Sequence, residues 1–303
     1  MASWNGARFL REQLDSLFCQ TFQNFNLIVR DDGSTDSSLE IIKDYGRRYS
    51  ERIVVHRNPV RLGPCGNFSL LAQQSSAPYV AFCDQDDIWR NDKVEVSLEA
   101  MKLVEKEHGK STPVLVFSDM TPINEDNTPL ASSWWRLAHV NPARATLGTM
   151  LVQNFVTGCT AMANRSLIAK TGAIPGGAEM HDSWLGLVAV TFGVMCPLNE
   201  PLVRYRQHEA NAWGVSRRRE SGNLLTKFRH DHQLLKDRVD TSRRQAEVFA
   251  RKYAEELTDR QRETLAVWLK SQNLPALVRQ WNLHRHGLRG TTLHNHLGFL
   301  VRV

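Results

Sequence analysis

Apolar residues recur along the first 120 positions in short runs with two alternating periods. Compact or alternating apolar runs predict strands, and runs with an apolar residue every three or four positions predict helices. Strands are predicted over 26–30, 53–56, 79–83 and 114–118, and helices over 7–20, 36–48 and 93–107. This alternation predicts an α/β domain with a mostly parallel central sheet and helices on both faces.

The pattern changes after Gly214, where it becomes helical and basic. Residues 215–303 contain 14 Arg and 4 Lys against 4 Asp and 5 Glu, a net charge of +9. Because the whole chain carries +6, residues 1–214 carry −3. We therefore predict a first domain over 1–214 and a helical basic extension over 215–303. Such an extension favours an anionic partner, either lipid or nucleic acid, although a solvated helical surface explains it equally well.

Composition narrows the class of protein further. An apolar fraction of 42% is enough for a hydrophobic core. The five cysteines are scattered and odd in number, which is typical of reduced thiols in a cytosol. No signal peptide is visible, and the longest apolar stretch, 184–195, is too short to span a bilayer. We predict a cytoplasmic protein.

The most informative run is acidic. Cys83-Asp84-Gln85-Asp86-Asp87 follows an apolar strand-type run directly. Clustered carboxylates repel one another, and a divalent cation removes that cost. Mg²⁺ or Mn²⁺ held by one or two carboxylates usually completes its coordination with substrate phosphates. The run therefore predicts a metal–diphosphate site, and the alternative is a solvated acidic turn.

A second acidic run has the same form. Asp31 and Asp32 follow the strand predicted over 26–30, and Gly33 permits a tight turn there. Ser34 or Thr35 can cap the next helix. Capping requires only one side-chain oxygen, so the two carboxylates exceed what a turn needs.

Three further strings lie downstream. Gly158 belongs to a small turn, 156–160. Asp182 lies at the predicted start of an apolar helix within Met180-His181-Asp182-Ser183-Trp184-Leu185, where Asp commonly serves as an N-cap. The last string, Val203-Arg204-Tyr205-Arg206-Gln207-His208, offers Arg206 for a diphosphate and His208 for a metal, or simply two side chains that flank a strand.

With these strings in this order, the chain resembles family 2 glycosyltransferases of the GT-A fold, and most closely their bacterial rhamnosyltransferase-like branch. The resemblance covers about 2–214. The apolar strand that should begin the fold is largely missing, since Met1-Ala2-Ser3-Trp4-Asn5-Gly6 aligns with its end. We therefore expect a truncated first strand.

The resemblance implies an inverting, metal-dependent enzyme. Asp182 would be the catalytic base, while Gly158 and Trp184 would line the acceptor side. Asp86 and His208 would bind Mg²⁺ or Mn²⁺. The donor would be a nucleoside-diphosphate sugar, with dTDP-β-L-rhamnose the best guess, and its binding residues would be Ser3, Asn5, Asp31, Asp32, Asp84 and Arg206.

The acceptor implied by the resemblance is a lipid-linked glycan, which places the enzyme at the inner face of the plasma membrane. Peripheral contact with anionic lipid would then involve the basic extension and its apolar residues Trp268, Leu269, Trp281, Leu283 and Phe299. Rival functions are transfer from another donor, such as a UDP-hexose, and a metal-dependent nucleotidylyltransferase or phosphohydrolase. Nucleic-acid binding is not expected, because it leaves the acidic runs unexplained.

Overall fold

The computed structural model describes residues 1–209 and 224–292, apart from the side chains of residues 224–236. Gly214, the predicted domain boundary, and Phe299 lie outside the described residues. The strands are β1 (Ala2–Ser3), β2 (Leu27–Asp31), β3 (Ile53–Arg57), β4 (Tyr79–Ala81), β5 (Ile88–Trp89), β6 (Val114–Ile123), β7 (Ala161–Asn164) and β8 (Val194–Arg206). The helices are α1 (Leu10–Phe18), α2 (Ser38–Arg48), α3 (Gly63–Gln74), α4 (Lys93–His108), α5 (Trp134–Leu137), α6 (Leu147–Val152), α7 (Arg165–Thr171), α8 (His181–Phe192), α9 (Leu224–Lys252), α10 (Asp259–Lys270) and α11 (Ala276–Arg285).

The first sheet is parallel, with strand order β1-β2-β3. Its first strand has only two residues, in agreement with the shortened strand predicted. Those residues are nevertheless bonded on both sides, since Asp32 N–H donates to Ser3 O at 2.8 Å and Ala2 N–H donates to Cys83 O at 3.3 Å. The start of the chain therefore lies between the two acidic turns.

The second sheet has strand order β4-β7-β6-β8-β5 and is mixed. Its long strands β6 and β8 run parallel, whereas β4, β5 and β7 pair antiparallel with their neighbours. Four successive residues, 114–117, are fully buried in β6, as expected for a strand covered on both faces. The parallel arrangement predicted from sequence thus describes the first sheet better than the second.

Helix periodicity is confirmed by burial. In α1 the buried apolar residues Leu10, Leu14 and Leu17 recur at helical spacing, and Glu12 lies on the other side. The residues of α2 follow the same rule with Ile41 and Tyr45 inward. Both helices pack their apolar faces into one core with the strands of the first sheet.

Two compact units divide the chain. The first comprises residues 1–134, 156–174 and 180–206, and it contains all eight strands. The second comprises residues 135–155, 175–179 and 207–303. Helices α9, α10 and α11 belong to the second unit and lie in the helical extension predicted over 215–303. Helix α6 also belongs to the second unit, although its residues fall within the first domain predicted over 1–214. Among the described residues, no helix is long and apolar enough to cross a membrane.

Candidate active site

The segment after β1 connects the two acidic turns through Gln85. The Gln85 side-chain oxygen accepts from the Ser3 hydroxyl at 3.1 Å and from Trp4 N–H at 2.7 Å. Its amide nitrogen donates to Trp4 O at 2.9 Å. Gly6 is required beside this clamp, because a Cβ there would overlap the Gln85 amide. The polar residue between Asp84 and Asp86 therefore fixes the acidic turn to the start of the chain.

Asn5 makes the equivalent connection to the first turn. It adopts a left-handed backbone with φ of 49°, which Asn tolerates better than most residues. Its N–H donates to the Ser34 hydroxyl at 2.9 Å, and its side-chain oxygen accepts from Thr35 N–H at 2.8 Å. Ser3 and Asn5, two of the predicted donor-binding residues, thus hold the two acidic turns in place through hydrogen bonds.

The first acidic turn uses its carboxylates as hydrogen-bond acceptors. Asp31 is completely buried and accepts from Ser34 N–H at 3.0 Å, with the Arg57 guanidinium 3.7 Å away. Asp32 accepts from the Asn58 amide at 2.7 Å, and from the main-chain N–H groups of Leu62 and Gly63, both at 2.8 Å. Asp32 therefore holds the loop that leads from β3 to α3.

A cleft of about 580 Å³ opens above this loop. Asp32, Gly33, Asn58 and Arg61 are among the residues that line it. The guanidinium carbon of Arg61 lies 3.4 Å from the centre of the Trp4 indole, so the cleft wall contains a cation stacked on an aromatic ring. A planar base with attached phosphates matches such a wall in shape and charge.

The second acidic turn is built differently. Asp87 is completely buried, and the ligand atoms of Asp84, Asp87 and Cys159 lie within 4.8 Å of one another. Burial, together with the nearby carboxylates of Asp86 and Asp182, raises the pKa of Asp84 to about 7. Burial, Asp86 and Asp84 raise the pKa of Asp87 well above its usual range. This turn places several carboxyl groups close together in a poorly solvated position.

The donor atoms of this turn fit a hard divalent cation. Carboxylate oxygens are the ligands that Mg²⁺ and Mn²⁺ prefer. Cysteine sulfur is a soft ligand that suits other metals better than Mg²⁺ or Mn²⁺, and burial, with Asp87 and Asp84 nearby, raises the pKa of the Cys159 thiol well above its usual range. Asp84 and Asp87 are therefore better candidate ligands than Cys159. Asp86, the ligand predicted from sequence, is half-buried between them in the chain.

Arg206 supports this turn from inside the protein. Its side chain is completely buried. The guanidinium donates to Asp86 O at 2.8 Å and to Glu12 Oε2 at 2.9 Å, and the Arg206 N–H donates to Asp87 Oδ1 at 3.1 Å. Direct donor binding, as predicted from sequence, would require the guanidinium to leave these partners. The geometry assigns Arg206 to positioning the acidic turn instead.

Asp182 lies in the first turn of α8, and Met180 occupies the N-cap position. Its Oδ2 accepts from Gly158 N–H at 2.9 Å, so the carboxylate bonds to the turn at 156–160. Gly158 cannot carry a side chain, because a Cβ there would overlap the His181 ring. The predicted base and the predicted glycine turn are thus in direct contact, and the Asp182 carboxylate contributes to the raised pKa of Asp84 in the second acidic turn.

His181 precedes this carboxylate and is buried between aromatic rings. Its ring centre lies 4.0 Å from that of Phe68 and 5.4 Å from that of Phe82. Neither ring nitrogen has a hydrogen-bond partner among the described residues. Burial lowers the pKa of His181 to about 3, so the imidazole is neutral at physiological pH.

Two of the site residues predicted from sequence, Trp184 and His208, do not belong to the acidic turns or the glycine turn. Trp184 is completely buried in α8, which disfavours the acceptor contact expected from sequence and assigns the indole to the core. His208 follows the end of β8 by two residues, is half-buried and belongs to the second unit. Its role as a metal ligand stays a prediction.

Sequence reasoning missed several residues around the second acidic turn. Asp87 lies in the acidic run, but the pattern alone did not separate it from Asp86. Lys93 is completely buried with its ammonium 3.5 Å from the centre of the Trp89 ring, and burial lowers its pKa to about 8. Cys159 lies in the predicted glycine turn, yet a lone cysteine in a sequence gives no signal of its neighbours.

Comparison with known proteins gives consistent matches. TuaG of Bacillus subtilis, named as a teichuronic acid biosynthesis glycosyltransferase, is 28% identical over 225 residues, which is 71% of this chain and 82% of TuaG. The dTDP-rhamnosyl transferase RfbG of Shigella flexneri is 31% identical over 105 residues, covering 33% of this chain and 36% of RfbG. An uncharacterized glycosyltransferase of Haemophilus influenzae is 34% identical over 101 residues, covering 33% of this chain and 40% of that protein.

Solved structures share the fold at low identity. TarS 1–349 of S. aureus in complex with UDP-GlcNAc superposes with a TM-score of 0.56 at 15% identity, covering 99% of this chain and 89% of that one. The mannosyltransferase PcManGT of Pyrobaculum calidifontis, in complex with GDP-Man and Mn²⁺, superposes with a TM-score of 0.55 at 15% identity. The match covers 94% of this chain and 71% of that one. These likenesses confirm the GT-A type of fold predicted from sequence.

The family model described as glycosyl transferase family 2 matches residues 1–172, which include both acidic turns, the bridging Gln85 and the glycine turn. More than half of the chain lies within this match. The chain belongs to glycosyl transferase family 2.

Proposed function

We propose that this chain is a metal-dependent, inverting glycosyltransferase that extends a bacterial surface polysaccharide. The observation that carries the proposal is the convergence of three acids. Burial, together with the carboxylates of Asp86 and Asp182, raises the pKa of Asp84 to about 7. A sugar transfer of this kind needs acidic ligands on the donor side and one base on the acceptor side, and these three residues supply both.

The donor side would use both acidic turns. Ser3, Asn5, Asp31 and Asp32 surround or support the cleft and would position base and ribose. Asp84 would contact the ribose or the donor sugar. A divalent cation held by the carboxylates of residues 84–87 neutralises charge on the leaving diphosphate when it is bound. His208 would add a ligand if it reaches that site.

On the acceptor side, the hydroxyl oxygen would attack the anomeric carbon from the face opposite the diphosphate. A carbon–oxygen bond forms to the acceptor as the bond to the diphosphate breaks, and the bonding electrons leave with the diphosphate. Asp182 would accept the hydroxyl proton, a contribution of about 10²–10⁴ in rate. Its hydrogen bond from Gly158 N–H would keep the carboxylate oriented.

For the donor we favour dTDP-β-L-rhamnose. This choice is supported by the named activity of the Shigella relative, which matches only a third of the chain. The acceptor class is supported by the name of the Bacillus relative, which refers to teichuronic acid biosynthesis. A UDP-hexose is the alternative donor, in line with the UDP-GlcNAc bound by the S. aureus neighbour. The acceptor would be a lipid-linked glycan.

Transfer assays with Asp182→Asn test the proposal. The full chain is incubated with Mn²⁺, a panel of dTDP-, UDP- and GDP-sugars and a lipid-linked acceptor. Loss of the base should reduce transfer about a hundredfold or more, with donor affinity unchanged. Asp126→Asn, a change at an exposed acid, is the matched control.

Two outcomes contradict the assignment. Asp182 is not the base if the variant retains more than about a third of the normal rate, far above the loss that a missing base causes. The proposed glycosyltransferase activity is refuted if the unaltered chain releases nucleotide from a donor at full rate without any acceptor. Such release is the behaviour of a phosphohydrolase.

A further inference from the structure

Helix α11 (Ala276–Arg285) presents apolar side chains to solvent. Leu277 is 88% exposed, Trp281 is 60% exposed and Val278 is 47% exposed. Leu277 and Trp281 are four residues apart, and Val278 and Trp281 are three apart, so the three side chains form one continuous surface on the helix. We name these three residues the α11 face.

The orientation of this helix is fixed by its other side. Leu283 is 1% exposed, and it lies two residues from Trp281, which places it on nearly the opposite side of the helix. Leu288, which is fully buried, donates from its N–H to Leu283 O at 2.9 Å just after the helix ends. The outward direction of Trp281 is therefore a consequence of packing.

This finding corrects the sequence-based choice of membrane-facing residues. Trp268 and Leu283 were expected at a membrane surface, but both are 1% exposed and belong to the core of the second unit. Leu269 is half-buried. Trp281 alone of the expected and described residues is well exposed, and Leu277 and Val278, which the pattern did not single out, lie beside it.

The chain segment that carries the α11 face has charges of one sign, although Glu263 of α10 lies 3.7 Å from His286 at the end of the helix. After Glu263 the chain contains one Lys and four Arg and no Asp or Glu. Arg285 and Arg289 are exposed, and the Arg285 guanidinium carbon lies 5.3 Å from the centre of the Trp281 ring. A surface of apolar side chains bordered by arginines complements a lipid layer with anionic headgroups.

We propose that the α11 face docks the protein on an anionic phospholipid surface. The helix would lie in the plane of the headgroups. Leu277 and Val278 would enter the acyl boundary, and the Trp281 indole would lie at headgroup depth, where tryptophan is favoured. Arg285 and Arg289 would meet lipid phosphates. This docking does not depend on which sugar is transferred, and it would bring the enzyme to a lipid-linked acceptor.

Sedimentation with vesicles tests this proposal on the full chain. We expect binding to vesicles of phosphatidylglycerol and phosphatidylcholine, and much weaker binding to phosphatidylcholine alone or at high salt. Leu277→Ser with Trp281→Ser should reduce the partition coefficient at least tenfold. The matched control is Leu103→Ser, which removes a leucine 68% exposed on α4 in the first unit.

A charge variant separates electrostatic from apolar binding. Arg285→Gln should reduce binding to anionic vesicles about fivefold, the equivalent of ~1 kcal/mol per basic residue near such a surface. Arg47→Gln, at a side chain 76% exposed on α2, should have no effect. Thermal melts of all variants should be unchanged, because each altered side chain is exposed.

Three results would overturn the proposal. One is equal binding to neutral and anionic vesicles, and another is equal behaviour of the α11 variant and the Leu103 control. The third is a dimer of the unaltered chain in sedimentation velocity that the α11 variant converts to a monomer, without vesicle binding by either. In that case the α11 face contacts a second copy. None of these results bears on sugar transfer, which is measured separately.

Discussion

The two acidic turns have the same sequence pattern, an apolar strand followed by carboxylates, but opposite environments. In the first turn Asp32 accepts from Asn58, Leu62 and Gly63, so its charge is stabilised by donors from a distant loop. In the second turn the half-buried Asp84 lies close to the fully buried Asp87, and the pKa of each is raised, first by desolvation and then by neighbouring carboxylates. In the first turn hydrogen-bond donors stabilise the carboxylate, and in the second turn the proposed divalent cation would take that role.

The two turns therefore contribute differently. Replacing an acid that accepts main-chain hydrogen bonds should cost stability, because buried N–H groups lose their acceptor. Replacing an acid in a crowded, poorly solvated cluster should cost activity, while relief of charge repulsion preserves or raises stability. This separation of stability from activity can be tested by substitution in each turn.

The largest effect is expected in the second turn. Asp86→Ala should reduce sugar transfer at least a hundredfold, because charge on the leaving diphosphate loses its stabilisation. The melting temperature should stay the same or rise. Calorimetry with a nucleoside diphosphate and Mn²⁺ should show weaker metal-dependent binding than in the control Asp126→Ala. Unchanged metal-dependent affinity would exclude Asp86 as a ligand and leave Asp84 and Asp87.

A smaller effect is expected in the first turn. Asp32→Asn should lower the free energy of unfolding by about 1–3 kcal/mol, because an amide nitrogen cannot accept from the partly buried N–H of Gly63. Nucleotide affinity should fall as the loop loosens, but its dependence on Mn²⁺ should persist. Chemical denaturation and calorimetry measure both quantities. Full stability combined with lost affinity would instead show direct contact between Asp32 and the nucleotide.

The smallest effect concerns His181, next to the third acid of the site. Burial lowers the pKa of His181 to about 3 from the usual 6.5. As the pH falls below 6.5, the imidazole therefore binds a proton in the unfolded chain but stays neutral in the folded chain. Protonation then favours unfolding, and stability should fall with decreasing pH. His181→Gln should remove about 1.4 kcal/mol of this loss between pH 7.5 and 5.5.

Urea unfolding at several pH values measures the free energy of unfolding, and the slope of that free energy against pH is compared between His181→Gln and the unaltered chain. Loss of buried contacts in His181→Gln changes stability at every pH, whereas the titration changes only its pH dependence. His108→Gln, a change at an exposed histidine, should keep the slope of the unaltered chain. An identical slope in His181→Gln would mean that the imidazole gains a partner on protonation.

Most of the fold could be predicted from sequence, because its signals are local. Apolar periodicity placed α1, α2 and α4 within a few residues of their observed bounds, and it found β2, β3, β4 and the start of β6. Motif order was sufficient to predict family and fold, and both are confirmed. The mixed pairing of the second sheet was not predicted, because strand direction depends on contacts between β4, β7 and β6 that lie far apart in the chain.

By itself, the sequence determined which chemistry the chain can carry: two carboxylate-bearing turns at strand ends, a third acid at a helix start and a basic C-terminal region. Only the tertiary structure decided which groups remain available for that chemistry. Arg206 and Glu12 are 194 positions apart, yet they form an ion pair, buried on the arginine side, that would have to break before the guanidinium could contact a donor. The Trp184 side chain is buried in the core, whereas the Trp281 side chain is exposed at the surface. Hydrogen bonding and burial are decided between residues distant in sequence, whereas periodicity and motif spacing record only neighbours along the chain.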